Sequence, residues 1–136
     1  MVKFATKEWL EKYSQQLNEN RNYEEAASWW EGAFFFIVKD LPGEPPDKEI
    51  VMYLDLWHGK CRESAILPNR KAKKVPYIYE GPYENWKSIL LAELDPIKAL
   101  LTRKMFLTGD MAMVMRATRA AKELVRTVQM IDTELW

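Results

Sequence analysis

The run Ala33 to Lys39 (AFFFIVK) constrains the fold more than any other stretch of this chain. It is aromatic and β-branched, and its apolar groups occupy odd and even positions alike. Successive strand residues point to opposite faces, so a strand built from it presents two apolar faces and has to be covered on both. Such a strand belongs at the centre of its sheet.

Its partners are legible. Ile50 to Trp57 (IVMYLDLW) alternates, with Met52, Leu54 and Leu56 on one face and Val51, Tyr53, Asp55 and Trp57 on the other. His58-Gly59 follows where a two-residue hairpin turn belongs, the glycine supplying positive φ. That turn sets Leu56 opposite Cys61 and Asp55 opposite Arg62, an opposite-charge cross-strand pair. The return strand runs to about Leu67, where Pro68-Asn69 turns the chain. Val75 to Glu80 (VPYIYE) reads as a fourth strand whose start, at Pro76, lacks a sheet partner. Lys104 to Thr108 (KMFLT) reads as a short fifth.

Helical signals flank the strands. Thr6 is a fitting N-cap for a helix carrying Trp9, Leu10, Tyr13 and Leu17. Asn18 to Asn22 breaks it, and a short pattern resumes from Tyr23 to Trp30. Pro82 falls near the first turn of a helix with Tyr83, Trp86, Ile89 and Leu90. Asp95-Pro96 starts a shorter one with Ile97, Leu100 and Leu101 as its apolar stripe. Thr108-Gly109-Asp110 leads into a long last helix reaching about Ile131. Its expected buried stripe is Met111, Val114, Thr118, Ala121, Val125 and Val128, widened by Met115, Leu124 and Ile131; Arg116, Arg119, Lys122, Glu123 and Arg126 form the outer face. Helices and strands are segregated rather than alternating, which predicts an α+β fold with one mostly antiparallel sheet and helices packed on one face. The 136 residues, 48% hydrophobic and 29% charged, suit a single domain over positions 1–136 with a core that needs no staples.

Lys+Arg and Asp+Glu are 20 each, which removes the electrostatic argument for a nucleic-acid partner. The zero is a sum of unlike parts. Asp40 to Asp55 is acidic, while Lys60 to Lys74 and Arg103 to Arg126 are basic. These are either solvated surface or a rim for an anionic head group, a membrane surface or an acidic partner. The single cysteine excludes an intrachain disulfide and a cysteine-based zinc site and suggests a reducing compartment. The opening MVKFATKEWLEKY lacks the apolar run of a secretory signal, and Gly32 to Val38 is far below the roughly 20 residues of a membrane span. The expectation is a cytoplasmic protein.

Signals for catalysis are weak. His58, Cys61 and Asp55 form a tempting trio, but a hairpin puts His58 at its tip and gives Asp55 to Arg62, while a continuous strand points His58 away from the other two. The five glycines are isolated, so no phosphate-cradling loop exists, and no metal-ligand spacing occurs. The expectation is a non-enzyme without cofactor or metal. Met105, Met111, Met113 and Met115 gather with Leu100, Leu101 and Leu107 around one strand–helix corner. Soft side chains of this kind either fill a core or adapt to a ligand.

The stretch Tyr83 to Arg116 resembles the sterol carrier protein-2 (SCP2-like) lipid-transfer family. The resemblance is carried by Leu94-Asp95-Pro96, the Lys104 to Leu107 strand and Gly109-Asp110-Met111, with the Leu54-Asp55-Leu56 strand and Gly59-Lys60 turn in support; it spans about Trp9 to Val128. It implies a five-stranded sheet with an apolar tunnel between sheet and helices, and neither catalytic residues nor metal. The tunnel would hold a fatty acyl, acyl-CoA or sterol-like ligand. By position, the implied lining is Trp86, Leu90, Ile97, Leu100, Leu101, Met105, Leu107, Met111 and Met115, with Phe34, Phe36, Met52, Leu54 and Leu56 from the sheet. The family has glycine just before the strand's lysine; here Arg103 stands there, so a differently built turn is expected. A self-filled tunnel, in a homodimer or as a subunit of a larger assembly, is the alternative, and transient contact with a membrane surface is left open.

Overall fold

The computed structural model describes residues 1–136. The first half of the chain forms β1 (Val2–Lys3), α1 (Lys7–Glu19), α2 (Arg21–Ala26), β2 (Phe34–Lys39), β3 (Ile50–Trp57) and β4 (Lys60–Leu67). The second half forms β5 (Tyr77–Pro82), α3 (Tyr83–Leu90), α4 (Pro96–Leu101), β6 (Phe106–Thr108), α5 (Met111–Arg116), α6 (Thr118–Val128) and β7 (Thr133–Glu134). No helix is long and apolar enough to cross a membrane.

The two-faced strand β2 lies in the middle of a five-stranded sheet of order β4-β3-β2-β5-β6. It pairs parallel with β5, and the other three pairings are antiparallel. Register puts Phe34, Phe36 and Val38 on one face with Leu54, Met52 and Ile50 of β3 and Tyr77, Tyr79 and Gly81 of β5. That inner face packs on the helices in one cluster of 31 buried residues. Phe35 and Ile37 face the other way, with Val51 and Tyr53, in a separate cluster of four.

The outer cluster is covered by connectivity. Strand β4 lies at the sheet edge and β5 beyond β2, so the segment between them crosses over β3 and β2. Val75 of this crossover packs on the cluster. Arg70, in a 3-10 turn over Arg70–Ala72, pins it down by bonds to Glu49 at 2.8 Å and Glu80 at 2.6 Å, and Lys39 joins Glu80 at 3.1 Å. The Arg70 guanidinium, with help from Lys39, holds the Glu80 carboxyl below the usual carboxylate range despite partial burial.

The hairpin forms as expected, Leu56 opposite Cys61. His58 (φ 48) and Gly59 (φ 80) make its two-residue turn. Only glycine fits the second position, since a Cβ there would lie 2.5 Å from the Glu24 carbonyl oxygen. Next to the turn, Arg62 and Glu63 both oppose Asp55 as a β-bulge, and Arg62 still pairs with Asp55 at 3.0 Å.

Several boundaries differ from those the sequence suggests. The break between α1 and α2 is one residue, Asn20, whose Oδ1 accepts from the Asn22 and Tyr23 N–H groups while its own N–H bonds the Leu17 carbonyl. Helix α2 ends at Ala26 rather than near Trp30. The fourth and fifth strands start two residues later than expected, at Tyr77 and Phe106. The long last helix is two helices. The Thr118 hydroxyl donates to the Met115 carbonyl and the Ala117 N–H to Val114, so α5 tightens and closes before α6 begins. Helix α6 ends at Val128, and β7 then pairs parallel with β1, a contact no local pattern announces. The break and a second neighbour also rotate the buried face. Thr118 and Met111 are exposed, whereas Ala120, Glu123 and Thr127 are buried against α2. Glu123, expected outside, is reached by Asn20 Nδ2 at 3.5 Å and Arg126 Nη1 at 2.5 Å.

Arg103 takes φ 58, so the turn before β6 keeps a glycine-like backbone with an arginine in it. Left-handed backbone costs a non-glycine residue about 1 kcal/mol or more. Arg103→Gly is expected to raise stability by about 0.5–1 kcal/mol net of glycine's greater unfolded entropy, read by denaturant unfolding. The crossover supplies a pH test. Glu80's lowered folded pKa means its stabilisation is complete above the ordinary carboxylate value, 4.5, and is lost as pH falls through the folded one. Arg70→Met should cost roughly 1–3 kcal/mol at neutral pH, and its deficit against the parent should shrink in acid. A deficit independent of pH would contradict the crossover pin.

Candidate functional site

Between the inner face of the sheet and the helices lies a cavity of about 110 Å³, with 24 of its 25 lining residues hydrophobic. Its floor is Phe34 and Phe36 of β2, Met52, Leu54 and Leu56 of β3, and Tyr79 of β5. Helices α1 and α2 supply Trp9, Leu10, Tyr13 and Tyr23, and α3 supplies Trp86, Ile89 and Leu90. Ile97 comes from α4 and Val114 from α5, while α6 adds Ala120, Ala121, Leu124, Val125 and Val128. Pro96, the first residue of α4, and Phe4, Ala27, Trp30 and Ala117, from the connections, complete the wall.

Large rings set the shape of this space. Trp86 meets Phe36 at 5.9 Å and Tyr79 at 5.5 Å, both edge to face, and Trp30 stacks on Phe34 at 5.7 Å. Their polar tips are turned away and tied to backbone. The Trp86 indole N–H donates to the Ile37 carbonyl at 2.9 Å, Trp30 to Gly32 at 2.9 Å, and the Tyr79 hydroxyl to Pro96 at 2.7 Å. Tyr13 donates to Leu124 at 2.8 Å, and the Trp9 indole to the Thr133 hydroxyl at 3.0 Å. Burial pushes the Tyr13, Tyr23 and Tyr79 hydroxyls well above the usual tyrosine range, so each is neutral at physiological pH. At Ala117, Ala120 and Ala121, where α6 begins, the wall thins to alanine.

Of the residues expected from the sequence, Trp86, Leu90, Ile97, Phe34, Phe36, Met52, Leu54 and Leu56 line this cavity. The methionine corner does not. Met105 is buried elsewhere, wedged so tightly on β5 that a Cβ at Gly81 would lie 2.3 Å from its sulfur. Met111, first residue of α5, is 41% exposed, and Met115 and Leu107 are half-buried outside the cavity. Leu100 is buried in the core behind it, and Leu101, at the end of α4, is 69% exposed. The lining that sequence reasoning missed includes Phe4, Trp9, Leu10, Tyr13, Tyr23, Trp30, Tyr79, Ile89 and every residue that α6 supplies. The stripe of α1 was visible as a buried face, but a stripe does not say whether it meets side chains or space.

The trio of His58, Cys61 and Asp55 is not assembled. His58 Nε2 lies 2.6 Å from Glu31 Oε2 at the exposed hairpin tip, with its ring stacked on Trp57. Asp55 pairs with Arg62, and the Cys61 thiol, pushed up by burial, donates to the Glu63 carbonyl at 3.4 Å. No group of three His, Cys, Asp or Glu side chains is placed to hold a metal ion.

Comparison with known proteins bears on this arrangement of sheet, helices and cavity. The model of the SCP-2 sterol transfer family matches residues 10–122. A crystal structure of sterol carrier protein 2 superposes with a TM-score of 0.86 at 30% identity, over 95% of this chain and 99% of that one. The solution structure of a conserved hypothetical protein from Thermus thermophilus, described as possibly a sterol carrier protein, gives 0.87 at 29% identity, over 98% and 93%. Sterol carrier protein 2 from Yarrowia lipolytica, in its apo form, shares the fold at a TM-score of 0.60 and 15% identity, over 88% of each chain. No protein of curated function matches the chain. With the family pattern covering residues 10–122, and the fold shared at 30% identity over nearly the whole of both chains, this chain belongs to the SCP-2 sterol transfer family.

Proposed function

We propose that this chain is a non-catalytic carrier that holds a lipid, acyl or sterol-like, in the cavity between sheet and helices. The observation that carries the reading is a wall of hydrophobic side chains whose polar tips are nearly all bonded away from the space they enclose. Such a site gains affinity from apolar burial, about 0.8 kcal/mol per methylene removed from water, with few directional contacts. It suits transport rather than chemistry, because nothing in it positions a nucleophile or a base. Phe34, Phe36, Leu54, Trp86, Leu90 and Ile97 are the contacts assigned to the ligand, on the strength of their place in the wall.

The volume adds a condition. About 110 Å³ is below the ~300–1,000 Å³ of ordinary small-molecule pockets. An acyl chain therefore enters only as the helical wall moves outward. The same small volume favours one competing reading, a fold whose space is filled by its own side chains and which acts as a protein-interaction module.

Uptake of a fluorescent acyl probe separates the two. The parent protein is expected to take up the probe and to show ligand-bearing masses by native mass spectrometry. Ala117→Leu with Ala121→Leu places two larger side chains in the thin part of the wall, and should reduce uptake at least tenfold while leaving thermal stability equal or higher. An apo mass with no uptake, together with concentration-dependent self-association, would overturn the carrier reading in favour of the module.

A further inference from the structure

The helices that wall the cavity are not held equally. Side-chain hydrogen bonds fasten every one of them but α5 to another element. The Tyr13 hydroxyl of α1 donates to the Leu124 carbonyl of α6, and Asn20, the cap of α2, reaches the Thr127 hydroxyl of α6 at 3.0 Å. Trp86 ties α3 to β2 through the Ile37 carbonyl, and Tyr79 ties β5 to α4 through the Pro96 carbonyl. Just past α6, Gln129 donates to the Leu90 carbonyl of α3 at 2.7 Å. The side-chain hydrogen bonds of α5 stay at its own ends, with the Asp110 cap on one side and Thr118 on the other. Its one directional tie to a distant part of the chain is the Arg116 guanidinium, 6.0 Å from the centre of the Trp29 ring, at the far end of the range for a cation–π contact.

Helix α5 nevertheless closes part of the cavity. Val114, its only buried residue, lines the space, and so does Ala117 just after it. Both ends of the helix are joints. Gly109 precedes it at φ 126, a conformation open to glycine, and Ala117 follows at φ −94 and ψ 26, outside the helical range. The remaining apolar side chains are methionines: Met111 is 41% exposed, and Met113 and Met115 lie half-buried at the margin of the core. Unbranched thioether side chains rearrange at little cost and follow an irregular apolar surface. A segment with one buried side chain and no bond to its neighbours opens at a lower free energy than the helices around it.

Resting on the carrier reading above, we propose that α5 is the entry lid of the cavity. It swings outward about Gly109 and Ala117 and withdraws Val114 from the wall, while α6 stays docked on α1, α2 and α3. Met111, Met113 and Met115 are the surface that an entering hydrocarbon chain crosses, which gives the methionine corner a role outside the cavity.

Two reversible bridges test this, each built in a Cys61→Ser background and closed with a short bis-methanethiosulfonate that reduction removes. Trp29→Cys with Arg116→Cys ties α5 down. Glu25→Cys with Arg119→Cys, in place of an exposed ion pair at 3.6 Å, ties the first turn of α6 to α2. By stopped flow, the α5 bridge is expected to slow uptake of a fluorescent acyl probe about tenfold or more until it is reduced, and the α6 bridge to leave the rate within about twofold. Arg116→Gln loosens the lid without altering the wall, and should raise uptake and release rates together by about two- to fivefold, the strength of one exposed cation–π contact, with the dissociation constant unchanged. Arg119→Gln removes the same charge nearby and should change neither rate. Hydrogen exchange reads the lid without a ligand: the Val114 and Ala117 N–H groups, bonded to the Asp110 and Val114 carbonyls, should exchange about tenfold or more faster than those of Leu124 and Val125, and the α5 bridge should narrow the difference. Equal slowing by both bridges, slowing by the α6 bridge alone, slowing by neither, or equal protection of the two helices would each overturn the lid. Absence of probe uptake in the parent protein would instead overturn the carrier reading on which it rests.

Discussion

A strand that is apolar on both faces leaves the chain no freedom about its layers. Once Phe34 to Val38 is central, something has to cover Phe35 and Ile37 as well as Phe34 and Phe36. The helices cover only one side. The other cover comes from the route the chain takes between β4 and β5, held in place by the carboxylates around Arg70. Charge and burial cooperate here, because the ionic contacts fix the position of a segment whose apolar contribution, Val75, is small. Two unequal covers result, a thick helical one and a thin crossover.

The cavity follows from how the thick cover is built. Bulky rings are rigid, and when each polar tip is committed to a particular carbonyl the ring cannot swing in to fill a gap. Trp86 is held over Phe36 by the Ile37 carbonyl, and Tyr79 is held back by Pro96. Across from them, the start of α6 presents Ala120 and Ala121 ahead of Leu124, Val125 and Val128. Space persists where stiff residues face small ones, and its wall is almost entirely hydrocarbon and ring carbon.

Much of this is legible in the sequence alone. The two-sided run locates the central strand, the turn at His58-Gly59 sets the register of β3 on β4, and the caps at Thr6 and Asp95 open helices where expected. These are local rules acting on adjacent residues. What stays hidden depends on partners distant in sequence. A helical period extrapolated across Ala117 cannot register that Thr118 bonds back to Met115, or that Glu123 turns inward to Asn20, over 100 positions away. Of the residues that resemblance and pattern point to, those of β2 and β3 and Trp86, Leu90 and Ile97 lie along the cavity. Resemblance and pattern misplace the methionines, because softness of a side chain says nothing about where packing leaves a gap: Met105 is the tightest-packed of them. The alanines of α6 carry no signal, since a small residue looks alike beside a void and beside a tight contact.

The pairing of β1 with β7 brings the two ends of the polypeptide side by side, and Trp136 reinforces it by donating to the Phe4 carbonyl at 2.9 Å across 132 positions. Contacts of such span close nearly the largest loop this chain can form. Loop entropy rises only slowly with length, so the thermodynamic penalty of this closure is modest. The clasp is short, two residues on each strand, yet the adjoining Phe4 is fully buried. Because Phe4 and Trp9 beside it belong to the cavity wall, the wall becomes complete only when the chain has closed into a ring of contacts.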